Sequence, residues 1–356
     1  MKTTHISSIC IALLFISSSL PLSSATCTAS DKQSLLDIKT SLGNPKSLSS
    51  WTPATDCCDW YGVDCGFNNT KPVIGLTISG DPTITGPIPR SVTGLKTLTS
   101  LTITNTGISG PIPAFITSMQ ALEALYLYSN NLSGPIPASL GNAPSLNLLY
   151  LDHNRLTGPI PSSLGNLKPP TYIKLNDNML SGPIPSSLGA LPMLSDMDLS
   201  RNRLVGDASF LFGASKILAS LLLAENSLEF DLSGLEFPEN LDKIDISSNH
   251  IYGTIPGQLN KVKNLENFNA SYNRLHGVIP PHVTKLKFLL TFDVSHNSLT
   301  GSIPANITNL RFLQAFNVSY NGLCGQIPQG GQIQSLSPDE FSHNKCLCGA
   351  PLEPCK

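Results

Sequence analysis

The sequence predicts an α/β solenoid, with a parallel β-sheet on its concave side, short 3-10 or α turns on its convex side and a disulfide-bonded cap at each end. Three observations predict it. Gly86, Gly110, Gly134, Gly158, Gly182 and Gly206 recur every 24 residues, and after Phe230 takes a glycine's place the register resumes at Gly253, Gly277, Gly301 and Gly325. A period of this length is the signature of stacked supersecondary units. Each period carries an L-x-L pair with strand alternation. Apart from Cys10, the cysteines lie only near the two ends of the chain.

The repeat reads approximately L-x-L-x-x-N-x-L-x-G-x-I-P, as in Leu125 to Pro137 and Leu149 to Pro161. Alternation turns Leu149 and Leu151 inward and Leu148, Tyr150 and Asp152 outward. Asn stands four residues before nine of the eleven markers, from Asn130 to Asn321. An amide that recurs between apolar positions is expected to be buried, donating to and accepting from the backbone of its own and the adjacent repeat. Pro82 and Thr106 replace it in the first two repeats, so the ladder should be poorer there. The glycine suits a tight turn. The Ile-Pro after it is expected to stop a second full strand or a long helix. Leu164 and Leu167, three residues apart, suit a short 3-10 or α turn on the convex side.

From the N-terminus, residues 1–25 read as a secretory signal, with Lys2, an apolar core from Ile9 to Ile16 and small residues at Ser23-Ser24-Ala25 before a cut after Ala25. Residues 26–72 form a cysteine-rich cap. Within it Ser30-x-x-Gln33 reads as a capping box for a helix whose apolar face is Leu35, Leu36, Ile38 and Leu42, and Trp51, Trp60 and Tyr61 read as the plug over the first repeat. The solenoid covers 73–328, and a second cysteine-rich cap covers 329–356. No second apolar stretch reaches the length of a membrane span, so the expected mature protein is secreted and soluble. Cys27, Cys57, Cys58, Cys65, Cys324, Cys346, Cys348 and Cys355 are an even set, expected in disulfides in a secreted chain. The adjacent Cys57 and Cys58 must have different partners. No C-x-x-C pair favours a metal, and no cofactor is expected. Sequons at Asn68, Asn131, Asn269, Asn306 and Asn317 mark candidate glycosylation sites; glycans on Asn269 and Asn317 would shield the C-terminal part of the concave sheet.

Net charge is -2 and only 13% of residues are charged, so no basic stripe suggests a nucleic-acid partner. The outward register of the repeats marked by Gly134 to Gly206 yields the candidate partner-binding residues Tyr126, Tyr128, Tyr150, Asp152, Tyr172, Lys174, Asp177, Asp196, Asp198 and Arg201, with His153 and Arg203 beside them. Tyr and Arg are favoured at protein interfaces, although Tyr also suits any exposed strand. Asp196 and Asp198 share a strand face like a catalytic carboxylate pair, but a shallow open sheet offers no pocket, so no enzyme is expected. His153 and His296 read as solvated surface residues.

The chain resembles plant extracellular leucine-rich-repeat proteins, and among them the polygalacturonase-inhibiting proteins. The resemblance rests on Asp31 to Leu36 with Leu48-Ser49-Ser50-Trp51 and Thr55-Asp56-Cys57-Cys58, on Gly206-Asp207-Ala208-Ser209 with Leu211-Phe212-Gly213, on Phe230-Asp231-Leu232, and on Leu323 to Gly331 with Asn344 to Gly349. It implies a plant-type leucine-rich-repeat superhelix and the bridges Cys27–Cys57, Cys58–Cys65, Cys324–Cys346 and Cys348–Cys355. It also implies a cell-wall (apoplastic) defence protein that inhibits secreted fungal polygalacturonases by covering their substrate cleft with the concave face. Cell-wall pectin or a receptor ectodomain are further candidate partners. The alternative from the same fold is a scaffold in receptor-kinase or developmental signalling; ice binding is a weaker third. The first repeat, from Leu76 to Pro89, looks merged or shortened against the family, and the repeats around Gly277 and Gly301 look additional.

Overall fold

In the computed structural model residues 26–67, 70–213 and 215–356 are described; the expected signal at 1–25 and the sequon Asn68 lie outside the described residues. The concave sheet has twelve strands, of which the first, Val63–Cys65, is antiparallel to the second, Val73–Ser79. All later strands run parallel, ending with Ala315–Asn317. The unbroken period sets this register: Leu125, Leu149, Ile173 and Met197 stand side by side, so equivalent residues form straight columns.

The inward columns make one continuous core in which Leu125, Leu149 and Ile173 have no exposed surface. Toward the C-terminus the column changes from aliphatic to aromatic. Phe268, Phe292 and Phe316 stack at centroid distances of 5.4 and 5.6 Å, and Phe341 of the cap closes the column at 6.2 Å from Phe316. On the convex side the leucine spacing yields five-residue 3-10 turns such as Ser162–Asn166, with Leu164 buried.

The asparagine column is a hydrogen-bonded ladder. Asn154 Nδ2 donates to the carbonyls of Leu127, Leu151 and Asp152 at 2.9, 3.0 and 3.1 Å, and its Oδ1 accepts from the Leu132 amide at 3.0 Å. One side chain thus satisfies backbone groups of two repeats that the bend would otherwise leave unpaired. Asn344 carries the ladder into the C-terminal cap, donating to Val318 and Phe341 and accepting from Leu323. At the other end Thr106 stands in for the amide: its hydroxyl donates to Asn130 Oδ1 at 2.5 Å and it accepts the Ile108 amide.

A second parallel ladder was not expected. The segment between the asparagine and the first proline is extended, as in Asn131–Pro135, and pairs with its neighbour Arg155–Gly158. The marker glycines lie at its end with φ between 76° and 96°, a region open to glycine at little cost. The Ile-Pro therefore ends this strand rather than preventing it. The ladder has seven strands before the irregular repeat and five after it. Between them only an isolated bridge joins Asp231 to Tyr252. Phe230, which replaces the glycine, is buried against Phe212, which also packs on Phe237. An aromatic cluster therefore fills the space where the regular turn is missing.

In the N-terminal cap, helix Ala29–Ser41 buries Leu35 and Ile38, but its cap is Thr28, whose hydroxyl accepts from the Asp31 amide at 3.1 Å. Ser30 lies inside the helix and Gln33 donates to Asp37, so the N-cap stands two residues before the expected one and Gln33 does not close a capping box. Asp31 Oδ2 accepts the Val73 amide at 3.0 Å and ties the helix to the first parallel strand. Trp51 and Trp60 are buried and stacked at 5.7 Å. Tyr61 is 57% exposed and takes part through its backbone: its carbonyl accepts from Trp51 Nε1 and its amide donates to Ser50 Oγ. The four disulfides pair as the resemblance implied.

Candidate protein-binding face

Parallel stacking carries the outward residues into columns as well. Tyr126, Tyr150, Lys174 and Asp198 occupy one column, and Tyr172 and Asp196 the next. The rings of Tyr126 and Tyr150 meet edge to face at 5.2 Å, and Lys174 Nζ lies 4.9 Å from the centre of the Tyr150 ring. All six side chains are half-buried, so a partner would complete desolvation that has already begun. Burial, with the carboxylate of Asp196 nearby, pushes the Tyr150 phenol up to about 12. Burial also raises Tyr126, Asp196 and Asp198; Lys174 opposes the rise at both aspartates, and hydrogen bonds from Ser200 oppose it at Asp198. The patch therefore holds carboxylates short of solvent.

Each concave strand exits through one residue in the left-handed region, directly before the ladder asparagine. His153, Asp177, Arg201 and Glu225 occupy this position in successive repeats and form a row joined by polar contacts at His153 and ion pairs at Arg201. His153 contacts Asp152 at 3.0 Å and Asp177 at 3.4 Å, and Arg201 contacts Asp177 at 3.2 Å and Glu225 at 3.1 Å. The bonds to Glu225 and Asp177 raise the Arg201 guanidinium further. Asp177 and Arg201 thus belong to the rim rather than to the strands, and Glu225 joins them. Tyr128 and Asp152 lie just inside this rim, half-buried. Arg203 belongs elsewhere: it opens the second-ladder strand Arg203–Gly206 and pairs with Ser181, so it does not face the concave side.

After the irregular repeat the rim changes chemistry. Tyr272, His296, Tyr320 and His343 stack with ring centroids 3.9, 4.0 and 4.1 Å apart and interplanar angles of 12° to 18°. His296, expected to be solvated alone, is sandwiched between two tyrosines; His153 is exposed and hydrogen-bonded to Asp152. The signal was present, since each ring stands one residue before a ladder asparagine. Beside this stack lies an open concave groove of about 340 Å³, lined in part by Lys243, Asp245, Asn267, Asn269, Asp293 and Asn317. The sequons Asn269 and Asn317 lie on its floor, where their side-chain oxygens accept from Ser271 and Ser319. Asn131 and Asn306 are exposed outside the concave face. The one candidate metal cluster among the described residues, Cys27, Asp56 and Cys57, consists of a disulfide and a carboxylate that accepts the Cys27 and Cys58 amides.

Comparison with known proteins agrees with this geometry. A leucine-rich-repeat N-terminal domain matches residues 28–66, and leucine-rich-repeat models match 96–156, 264–286 and 288–310. Polygalacturonase inhibitor 2 of Arabidopsis thaliana is 47% identical over 75 residues, 21% of this chain and 23% of that protein. The curated relatives first matched are aligned over only 23% to 37% of their own lengths. Among solved structures, a plant ice-binding protein is 32% identical, with 93% of this chain and 98% of that chain covered and a TM-score of 0.71. The PEPR1-AtPEP1 structure is 31% identical, with 85% and 50% covered and a TM-score of 0.68. No helix among the described residues is long and apolar enough to cross a membrane. The chain belongs to the plant extracellular leucine-rich-repeat family.

Proposed function

We propose that this chain is a secreted, non-catalytic defence protein of the plant cell wall that binds fungal polygalacturonases through its concave face and inhibits them. The observation that carries the reading is the contiguous patch of Tyr126, Tyr150 and Tyr172 with Asp196 and Asp198. Polygalacturonase substrates are polyanions, so the cleft of such an enzyme must present cations. A half-desolvated set of carboxylates beside rigid aromatic rings is complementary to it, and such rings serve as interface anchors. The local similarity to polygalacturonase inhibitors supports the same reading.

The ice-binding relative covers more of the chain, but ice recognition calls for a flat array of small polar groups. The concave column instead runs Tyr126, Tyr150, Lys174, Asp198 and Leu222, and its chemistry changes at nearly every step. The test is inhibition of a panel of fungal polygalacturonases by wild type, Tyr150→Ala and Ser162→Ala. Ser162 is the better control because the neighbouring Ser163 hydroxyl donates to Ala138 at 2.6 Å. Inhibition by wild type and Ser162→Ala, with loss in Tyr150→Ala, is the expected result. Inhibition of none transfers the concave face to the signalling-scaffold reading, tested by capture of a receptor ectodomain.

A further inference from the structure

The exit rim is broken at one place. Its side chains touch from His153 to Glu225 and again from Tyr272 to His343, but between the two rows the left-handed residue is Ser248. Backbone bonds hold the three repeats in register: the Asn226 amide donates to the Ser248 carbonyl and the Asn249 amide to the Tyr272 carbonyl, both at 3.2 Å. Adjacent strands stand about 4.8 Å apart, so Glu225 and Tyr272 face each other across roughly 9.6 Å with only a serine side chain between them. Tyr272 is 55% exposed; one ring face lies against His296 at 3.9 Å, and the opposite face looks onto the gap. The Glu225 side chain is 56% exposed. Its Oε1 accepts from Arg201 Nε at 3.1 Å, whereas neither its Oε2 nor Ser248 Oγ forms a hydrogen bond among the described residues. No cation among the described residues lies over Tyr272, in contrast to Tyr150, which has Lys174, and Phe115, which has Arg90.

We propose that this gap binds the guanidinium group of an arginine carried by a protein partner. The rings of this rim stack at 3.9 to 4.1 Å, so one flat group laid on the open face of Tyr272 at that distance continues the stack and still leaves room for Glu225. A guanidinium is flat, is attracted to an aromatic face, and carries its N–H donors around the edge of its plane. The long, exposed Glu225 side chain brings its free oxygen to that edge, where a charge-assisted bond forms, and Ser248 Oγ supplies a second acceptor. Leu222, half-buried on the concave side three residues before Glu225, offers apolar surface to the arginine methylenes. An ammonium group has charge but no plane to stack, and a neutral ring stacks but leaves the Glu225 oxygen unpaired. The backbone does not impose the gap, because Arg201 occupies the same left-handed position with φ of 52°, equal to that of Ser248. The proposal does not depend on inhibition of an enzyme, and the gap lies off the Tyr126–Tyr150 patch.

The experiment follows the tyrosine ring signals of the full chain by NMR while a blocked Gly-Arg-Gly peptide is added at constant ionic strength. Gly-Lys-Gly and Gly-citrulline-Gly are the comparisons, and loss of a signal in Tyr272→Phe identifies Tyr272. A glycan on the sequon Asn269, three residues before Tyr272, would stand beside the gap, so Asn269→Gln is titrated alongside wild type. In at least one of these two proteins the arginine peptide should shift the Tyr272 signal to saturation. The lysine peptide should bind several-fold more weakly, and the citrulline peptide, which has the same shape without the charge, should leave the signal in place. Glu225→Gln should weaken arginine binding several-fold. Ser248→Arg should fill the gap with the chain's own arginine and abolish the shift. Unchanged circular dichroism and a melting temperature no lower than that of wild type confirm that both variants fold. The proposal is overturned if the arginine peptide produces no Tyr272 shift in either protein, or only a linear one that marks binding at high concentration alone. It is equally overturned if lysine binds as tightly as arginine, or if Glu225→Gln and Ser248→Arg both respond as wild type does.

Discussion

The two halves of the exit rim occupy the same backbone position and solve the same problem by different means. Before Phe230 the left-handed residues His153, Asp177, Arg201 and Glu225 are joined by polar contacts, with Arg201 ion-paired to both of its neighbours. After it Tyr272, His296, Tyr320 and His343 are joined by ring stacking. The scaffold beneath is shared: Asn178 and Asn297 each donate to the same three kinds of backbone carbonyl, and each accepts one amide of the preceding repeat. Stability is therefore delegated to the asparagine and leucine columns, which leaves the rim and the concave columns free to differ. The irregular repeat, where the second ladder breaks, is also the boundary between the two chemistries.

The largest effect should come from the shared scaffold. Asn154→Ala leaves the Leu132 amide without its partner, and a buried unsatisfied group costs about 1–3 kcal/mol; the carbonyls of Leu127, Leu151 and Asp152 each lose one bond but keep another donor, Asn130, Asn178 and the Ser129 amide in turn. With the orphaned amide and the three lost bonds, at about 0.5–1.5 kcal/mol each, the net loss should be about 3 kcal/mol. Asn297→Ala should cost about as much, on the same reasoning. Thermal unfolding of the pair checks this, and a large loss in one with none in the other would show that the halves do not share a scaffold.

Inhibition should separate the halves where stability does not. Tyr150→Ala is expected to cost at least about 2 kcal/mol of binding, roughly 30-fold in affinity, if Tyr150 is an anchor. His296→Ala should leave inhibition unchanged. If inhibition survives Tyr150→Ala but fails in His296→Ala, the site lies in the C-terminal half.

A smaller effect concerns pH. Asp196 and Asp198 are raised by burial, so they take up protons at a higher pH than ordinary aspartates. As pH falls into the range above the usual aspartate value, affinity for a cationic partner should fall several-fold by the loss of one or two charge pairs. The Asp196→Asn, Asp198→Asn double variant should bind more weakly at neutral pH and lose this dependence. The sign for folding is opposite. A carboxyl raised in the folded state binds protons more readily there than in the unfolded chain, so lowering the pH through that range relieves a penalty and stabilises the fold. Titrations of affinity and of melting temperature should therefore run in opposite directions.

What was legible in the sequence was whatever the period repeats. Columns such as Leu125 and Leu149, the Asn154 ladder and the pairing of Tyr126 with Tyr150 follow from a count of 24. The second ladder was not legible because Asn131–Pro135 has no alternation of its own and becomes a strand only against its stacked neighbours. The ring stack was missed for a related reason. Tyr272 and His296 are different residue types, so a ring recurring one residue before the ladder asparagine is hidden from a count of identical letters, and the left-handed turn there is a property of the backbone. In the cap, outside the repeat, local signals competed: Thr28 and Ser30 both suit a helix N-terminus, and the bond from the Asp31 amide selects Thr28. Of the outward residues, Tyr126, Tyr150, Tyr172, Lys174, Asp196 and Asp198 stand on the concave columns, whereas Asp177 and Arg201 fall on the rim and Arg203 on the second ladder, because the strands end at Lys174 and Asp198.

The smallest expected effect tests the rim itself. Arg201 is more than half exposed, and exposed ion pairs contribute about 0–1 kcal/mol. Arg201→Ala should therefore cost no more than that, and the cost should shrink as salt rises, because the pairs are screened. Tyr320 lies between two imidazoles, and aromatic contacts of this kind contribute about 0.5–1.5 kcal/mol beyond the area they bury. Tyr320→Ala should cost about 1 kcal/mol or slightly more, with little change between low and high salt. Denaturant unfolding of both variants at two salt concentrations is the measurement. A salt-dependent cost at Arg201 and a salt-independent cost at Tyr320 would sustain the contrast between a charged and a stacked rim. Equal salt dependence at both would mean that the stack carries charge on His296 or His343, and the division at Phe230 would then be one of residue type alone.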